Sequence, residues 1–200
     1  GMTVILVALP VVFQPELRRA LEQIGRGRFF RSGQVISMEE LERLIDEIVA
    51  ISESLSKTHT GALIVFEREV GLNDYIDTGI AIDGLVSREL LGNIFIPNTP
   101  LHDGAVIIRE NRIMAAGCLL PLTSDRSLST ELGTRHRAAI GISELADAVV
   151  VVVSEETGSI SYTYGGHIYR HLDGNALRNV LKTFLNRTPQ GLANIFKWRP

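Results

Sequence analysis

Gly133-Thr134-Arg135-His136-Arg137-Ala138-Ala139-Ile140-Gly141-Ile142-Ser143-Glu144 is the stretch on which the reading of this chain turns. Ala138, Ala139, Ile140 and Ile142 predict a helix packed against a core, entered at Gly133-Thr134 with Thr134 as its N-cap. Arg135, His136 and Arg137 then fall in the first turn, where the partial positive charge of a helix start favours carboxylates instead. Two explanations compete. A bound anion offsets the free amides, the threonine hydroxyl and the two guanidinium groups. Alternatively, the arginines pair with neighbouring Asp or Glu residues and hold the fold.

Outward from that helix, the pattern is that of a sheet. Ala148-Val149-Val150-Val151-Val152-Val153 reads as a strand apolar on both faces and therefore central. Ala62-Leu63-Ile64-Val65-Phe66, after Gly61, reads as a buried strand, and Ile80–Val86 as a shorter one. Ala105–Arg109 and Ile113–Leu120 flank Glu110-Asn111-Arg112 as a hairpin. Thr157-Gly158 and Gly165-Gly166 punctuate two further strands, Ser159–Tyr164 and His167–Arg170. Three helices complete the pattern. Ser37 and Glu40 form a capping box before Leu41, Leu44, Ile45, Ile48, Ile51 and Leu55, up to about Ser56. Ser87 caps a short helix to about Leu91, and an amphipathic helix follows Asp173-Gly174. Asp125 to Glu131 is a polar loop or helical turn. Strands mixed with helices and hairpins imply an α/β class, a mixed twisted sheet flanked by helices.

The composition narrows the function. With 45% apolar residues among 200, the chain can bury a core of one domain. Net charge is −3, which removes general affinity for nucleic acid and makes any anion site local. Cys118 is the sole cysteine, so there is no internal disulfide, and its apolar surroundings point to packing. Gly1 before Met2 reads as a scar of tag removal and stays outside the fold. Thr3 to Phe13 is nearly all apolar but shorter than the ~20 residues that span a bilayer. It is either a buried element or the end of a truncated transmembrane helix, and the latter is the expectation. Pro15-Glu16-Leu17-Arg18-Arg19 would then face the cytoplasm. The expected division is residues 1–13 as membrane segment, 14–60 as N-terminal helices, 61–186 as catalytic domain and 187–200 as tail. Pro15–Ile24 is expected as a helix, and Gly25-Arg26-Gly27-Arg28 as a connector.

Three short motifs remain. Leu101-His102-Asp103-Gly104-Ala105 sits where a loop becomes a strand, and Gly104 leaves room for a ligand beside the Asp103 carboxylate. By itself, Asp-Gly is more often a plain turn. Ser154-Glu155-Glu156 ends the valine strand at an edge where α/β sheets hold ligands, although Glu-Glu-Thr-Gly also suits a solvated turn. Thr134, Arg135 and Arg137 form the third group. Carboxylates with an imidazole suit Mg²⁺ or Mn²⁺ bridging phosphates, and arginines suit phosphate oxygens. Together they form a toolkit for phosphoryl or nucleotidyl transfer.

Asp103-Gly104-Ala105, then Gly133-Thr134-Arg135-His136-Arg137, then Ser154-Glu155-Glu156 resembles the diadenylate cyclase family. The likeness covers Gly61 to Leu172 closely, and the apolar start resembles the membrane-anchored branch. The resemblance implies condensation of two ATP into cyclic di-AMP and two pyrophosphates with a divalent cation, Mg²⁺ or Mn²⁺. It implies Asp103 and Arg135 as catalytic, Asp103 activating the ribose 3′-hydroxyl. Gly104, Leu119 and Leu120 would lie by the adenosine. Thr134 and Arg135 would hold phosphates, with His136, Arg137, Ser154 and Glu155 beside them. His102 and Glu156 would contact the metal. Leu119 departs from the pattern, because relatives often carry an aromatic residue there to stack on adenine. Regulatory proteins, membrane-bound or cytosolic, are implied as partners, with the domain on the cytoplasmic face of the cell membrane.

One point follows from chemistry alone. Each hydroxyl must attack the α-phosphate of the other ATP, so a domain holding one ATP needs a second copy, face to face, to close the ring. The alternative is a module that binds a nucleotide or cyclic dinucleotide without turnover, for which Asp103 would be dispensable. A nucleic-acid-binding domain is the third reading, opposed by the acidic balance and the lack of interleaved aromatics.

Overall fold

The computed structural model describes residues 36–125, 129 and 132–186. The expectations for residues 1–35 and 187–200, and most of Asp125–Glu131, lie outside the described residues. Among those described, five helices and seven strands follow one another. They are α1 (Met38–Lys57), β1 (Ala62–Glu67), α2 (Asn73–Ile76), β2 (Ile80–Leu85), α3 (Arg88–Ile94), β3 (Ala105–Arg109) and β4 (Arg112–Cys118). Then come α4 (Thr134–Leu145), β5 (Val149–Val153), β6 (Ile160–Tyr164), β7 (His167–Leu172) and α5 (Gly174–Leu185).

The seven strands make one mixed sheet in the order β2-β4-β3-β1-β5-β6-β7. Only β1 and β3 run parallel, and every other neighbouring pair is antiparallel. The middle place belongs to β1, all six residues of which are buried. The valine strand β5 is interior as expected, between β1 and β6, and fully buried.

Strand alternation sorts the core into two layers. Ile64, Phe66, Val106, Ile108, Val151 and Val153 meet Leu44, Ile48 and Ile51 of α1, Leu91 and Ile94 of α3, and Leu177 and Leu181 of α5. Leu63, Val65, Ala105, Ile107, Val150 and Val152 face the other way, onto Ala138, Ala139 and Ile142 of α4. Covering both faces explains why β1 and β5 read as continuous apolar runs. Helix α1 therefore shares one core with the sheet.

The local signals act as expected. The Ser37 hydroxyl accepts from the Glu40 amide at 3.2 Å, while the Ser37 amide donates back to the Glu40 carboxylate at 2.9 Å. Asp173 caps α5 through the Ala176 amide at 2.7 Å, and Ser87 caps α3 through Leu90 at 3.2 Å. Two elements run longer than the sequence implied: α3 reaches Ile94, and β7 reaches Leu172. The one-turn α2 carried no periodic signal, since four residues are too few to show one.

One expectation is corrected. Gly133, not Thr134, is the N-cap of α4, with extended backbone at φ −69° and ψ 180° and no side-chain cap. Thr134 is the first helical residue, so its hydroxyl cannot turn back onto the first-turn amides. The result bears on function, because this helix start keeps its donors uncapped.

Candidate active site

The register of the central strands gathers the three motifs along one end of the sheet. In β1 and β5, Ala62 pairs with Val153, so Gly61 and Ser154 continue side by side past the ladder. In β1 and β3, Ile64 pairs with Val106, so the same continuation brings Asp103 beside Gly61. Ala105 pairs with Cys118, which sets Leu119 next to Gly104. Neighbouring strands lie ~4.8 Å apart. Leu119, Gly104-Asp103, Gly61 and Ser154 thus form a row on four successive strand ends. This is the carboxyl end of β4 and β5 but the amino end of β1 and β3.

Across that row stands the start of α4. Gly133, Thr134, Arg135 and His136 line a cleft with Val153, Ser154, Glu155 and Glu156, holding about 300 Å³ of space open to solvent. Arg135 reaches from the helix toward the sheet and donates from Nη1 to Glu155 Oε2 at 2.6 Å. Its side chain is only 18% exposed, against 59% for Glu155. The pairing explanation is therefore realised for Arg135, but only in part: its Nε is buried and has no hydrogen-bond partner among the described residues. Arg137 meets no carboxylate among the described residues and lies off the cleft, its carbonyl accepting from the Thr123 amide at 3.1 Å.

The Ser154–Glu156 segment is a defined turn. The Ser154 hydroxyl accepts from the amides of Glu156 and Thr157 at 3.3 and 3.2 Å, and its carbonyl accepts from the Gly158 amide at 2.9 Å. That turn holds both glutamates, exposed, at the mouth of the cleft. His136 is the buried member, 6% exposed. Burial lowers its pKa first, nearby Arg170 lowers it further, and Glu156 opposes both, which leaves the imidazole neutral at pH 7.

Asp103 and Gly104 belong to the β3 end, beyond β1 from the cleft, and do not line the cleft itself. Asp103 is exposed. Gly104 has φ +124°, and a Cβ there would lie 2.7 Å from the Gly117 carbonyl carbon and 2.8 Å from the Cys118 oxygen. Only glycine lets the Asp103 loop settle against β4 in that way. His102 donates from Nδ1 to the Thr99 carbonyl at 2.6 Å, which leaves the Nε2 lone pair as the ring's acceptor, as in many metal-ligating histidines. Among the described residues, no three His, Cys, Asp or Glu side chains come together as a metal cage. That donor set fits an ion that shares its coordination with substrate phosphates and water, the habit of Mg²⁺, and does not fit a closed protein site.

Leu119 and Leu120 close the row. Leu119 is 69% exposed, held there by a bond from its amide to the Thr78 hydroxyl at 2.9 Å. Leu120 packs against the α4-side core. Sequence reasoning missed both Thr78, which steadies Leu119, and Gly61, which lies under Arg135. The only signal for Gly61 was its place before an apolar run, and for Thr78 its place before Gly79.

The buried charges at the opposite end of the sheet have partners of their own. Arg109 holds Glu67 through two bonds, 2.8 and 2.7 Å, and the Leu72 amide adds a third at 3.0 Å. The Arg68 Nε donates to the Phe184 carbonyl at 3.0 Å. These groups brace the fold.

Comparison with known proteins bears on the family. The family model described as DisA bacterial checkpoint controller nucleotide-binding matches residues 49–168. Cyclic di-AMP synthase CdaA of Bacillus subtilis is 50% identical over 96% of this chain and 71% of its own length. A diadenylate cyclase of Listeria monocytogenes is 49% identical over the same shares. The crystal structure of a DacA double mutant from Staphylococcus aureus superposes with a TM-score of 0.73 at 49% identity, covering 75% of this chain and 99% of that one. A hypothetical membrane spanning protein from Bacillus cereus gives 0.62 at 46% identity, over 64% of this chain and 62% of that one. With the family model covering more than half of its length and relatives of this identity along almost all of it, the chain belongs to the diadenylate cyclase family of nucleotidyltransferases.

Proposed function

We propose that this chain joins two ATP molecules into cyclic di-AMP, with release of two pyrophosphates, in a symmetric pair of domains. The observation that carries the reading is the uncapped start of α4, with Thr134 and Arg135, facing the Ser154–Glu156 turn, two strands along the same sheet end from Asp103. Helix amides, a hydroxyl and a guanidinium are the donors that a triphosphate needs. The Asp103 carboxylate takes the proton of the ribose 3′-hydroxyl. The freed oxygen bonds to the α-phosphorus of the ATP held by the second copy, and the bond to pyrophosphate breaks. The same exchange in the other direction closes the ring. Leu119 gives the adenine an apolar surface and Leu120 lies against the adenosine through its backbone, while His136, Ser154 and Glu155 complete the surroundings of the nucleotide.

His102 and Glu156 would hold the divalent ion, Mg²⁺ or Mn²⁺, which neutralises charge on the phosphates. Proximity of two bound ATPs supplies much of the acceleration, and one domain alone does not hold both. The domain acts at the cytoplasmic face of a membrane, tethered through the apolar residues 3–13. Among the described residues, no helix is long and apolar enough to cross a membrane.

The test is incubation of the purified protein with ATP and Mn²⁺ or Mg²⁺, followed by mass detection of cyclic di-AMP. Rate should rise as the square of enzyme concentration where the pair is mostly dissociated. No product at any concentration sinks the activity. A rate strictly linear in enzyme at high dilution sinks the paired mechanism.

A further inference from the structure

We infer that Gly61 is a positioning residue of the nucleotide site: its missing side chain is the seat on which the Arg135 guanidinium rests. The inference rests on the phosphate-holding role proposed for Arg135. Gly61 precedes β1, and the register sets it between Asp103 and Ser154, the two strand ends that flank the site. A Cβ built on Gly61 would lie 2.8 Å from Arg135 Nη1, 2.9 Å from Arg135 Cζ and 2.9 Å from Glu155 Oε2. Contacts that short do not occur for real Cβ atoms, so the ion pair would have to move.

What moves is informative. All three atoms belong to the far ends of side chains, with no backbone among them. The fold can therefore absorb a methyl group at this position by displacing the guanidinium and its carboxylate. Arg135 has little freedom to recover, since it is mostly buried and bonded to Glu155 at 2.6 Å. The displaced fork no longer points where the 2.6 Å pair holds it now, and positioning errors of ~1 Å are costly in such sites. Gly61 makes no predicted contact with the reacting atoms and acts through Arg135.

Gly61→Ala, measured in the intact chain, tests this. Binding of a non-hydrolysable ATP analogue with Mg²⁺ should weaken roughly ten- to a hundred-fold, the range for losing a charge-assisted contact. Adenosine, which has no phosphate, should bind as in the parent. Thermal unfolding should shift by no more than about 4 °C. Adding the same change to Arg135→Ala should cost no further analogue affinity, because the guanidinium is gone and the exposed Glu155 carboxylate, no longer tied to it, can turn into solvent. Should Gly61→Ala alone fail to fold, Gly61→Ala/Arg135→Ala should fold again.

A folded Gly61→Ala protein with parental analogue affinity overturns the inference. So does a double variant whose affinity falls well below that of Arg135→Ala, or one that remains unfolded. Failure of the proposed activity would show separately, as a parent protein that makes no cyclic di-AMP.

Discussion

Removing the Arg135 guanidinium should damage nucleotide binding far more than it damages the fold. Its ion pair among the described residues is with Glu155, which is 59% exposed. A pair of that kind contributes ~0.2–1 kcal/mol after solvent screening. A charge-assisted bond from the same fork to a phosphate oxygen is worth ~1.5–3 kcal/mol. At ~1.4 kcal/mol per factor of ten, Arg135→Ala should weaken a non-hydrolysable ATP analogue by roughly 10- to 150-fold. Unfolding should shift by only about 2–4 °C per kcal/mol lost. Arg135→Lys separates charge from geometry. The ammonium keeps the charge but has no planar fork with which to hold Glu155 and a phosphate oxygen together. Its affinity should therefore fall between the parent and alanine. Calorimetric titration with the analogue and Mg²⁺, beside thermal melts of each variant, reads both quantities. The reasoning is refuted if folded Arg135→Ala binds the analogue as tightly as the parent, or if its melting point collapses while affinity in the folded fraction is unchanged.

Asp103 is exposed, so Asp103→Asn should leave the melting curve in place. Without a carboxylate to accept the 3′-hydroxyl proton, kcat should drop by ~10²–10⁴ with analogue affinity nearly kept. Mass detection of cyclic di-AMP checks this, and parental turnover would point to another base. Cys118 is buried, and burial pushes its thiol from 9.0 up to about 11. The native thiol should therefore resist alkylation at pH 8 and react fully once the chain is unfolded. Its raised pKa makes stability from this group complete below pH 9, falling as pH rises toward about 11, where the unfolded chain has already lost the proton. Cys118→Ala should flatten that alkaline limb in chemical denaturation, and an unchanged limb would assign the loss to other groups.

Much of the fold was legible because its signals are local. Ser37 and Glu40 sit three residues apart and cap α1 with their own side chains. The turn at Glu110-Asn111 joins β3 and β4 as the hairpin pattern required, and Asp173 caps α5. The chemistry of the site was legible in residue type, since guanidinium, carboxylate and hydroxyl groups state what they bind wherever they sit. Thr134 shows the limit even of local reading. Threonine and glycine both suit an N-cap, and the place falls to Gly133, whose backbone is extended while that of Thr134 is already helical.

Strand order and register belonged to the tertiary structure alone. A run such as Val149–Val153 says that a strand is buried on both faces, and nothing about which strands lie beside it. Only the pairing of β1 with both β3 and β5 brings Gly61 between Asp103 and Ser154 and sets it beneath Arg135. The bond from Leu119 to Thr78 spans 41 residues in the same manner. Apolar alternation is satisfied equally well by many neighbours. The choice among them is made by how all the layers pack at once, which no single stretch of residues encodes.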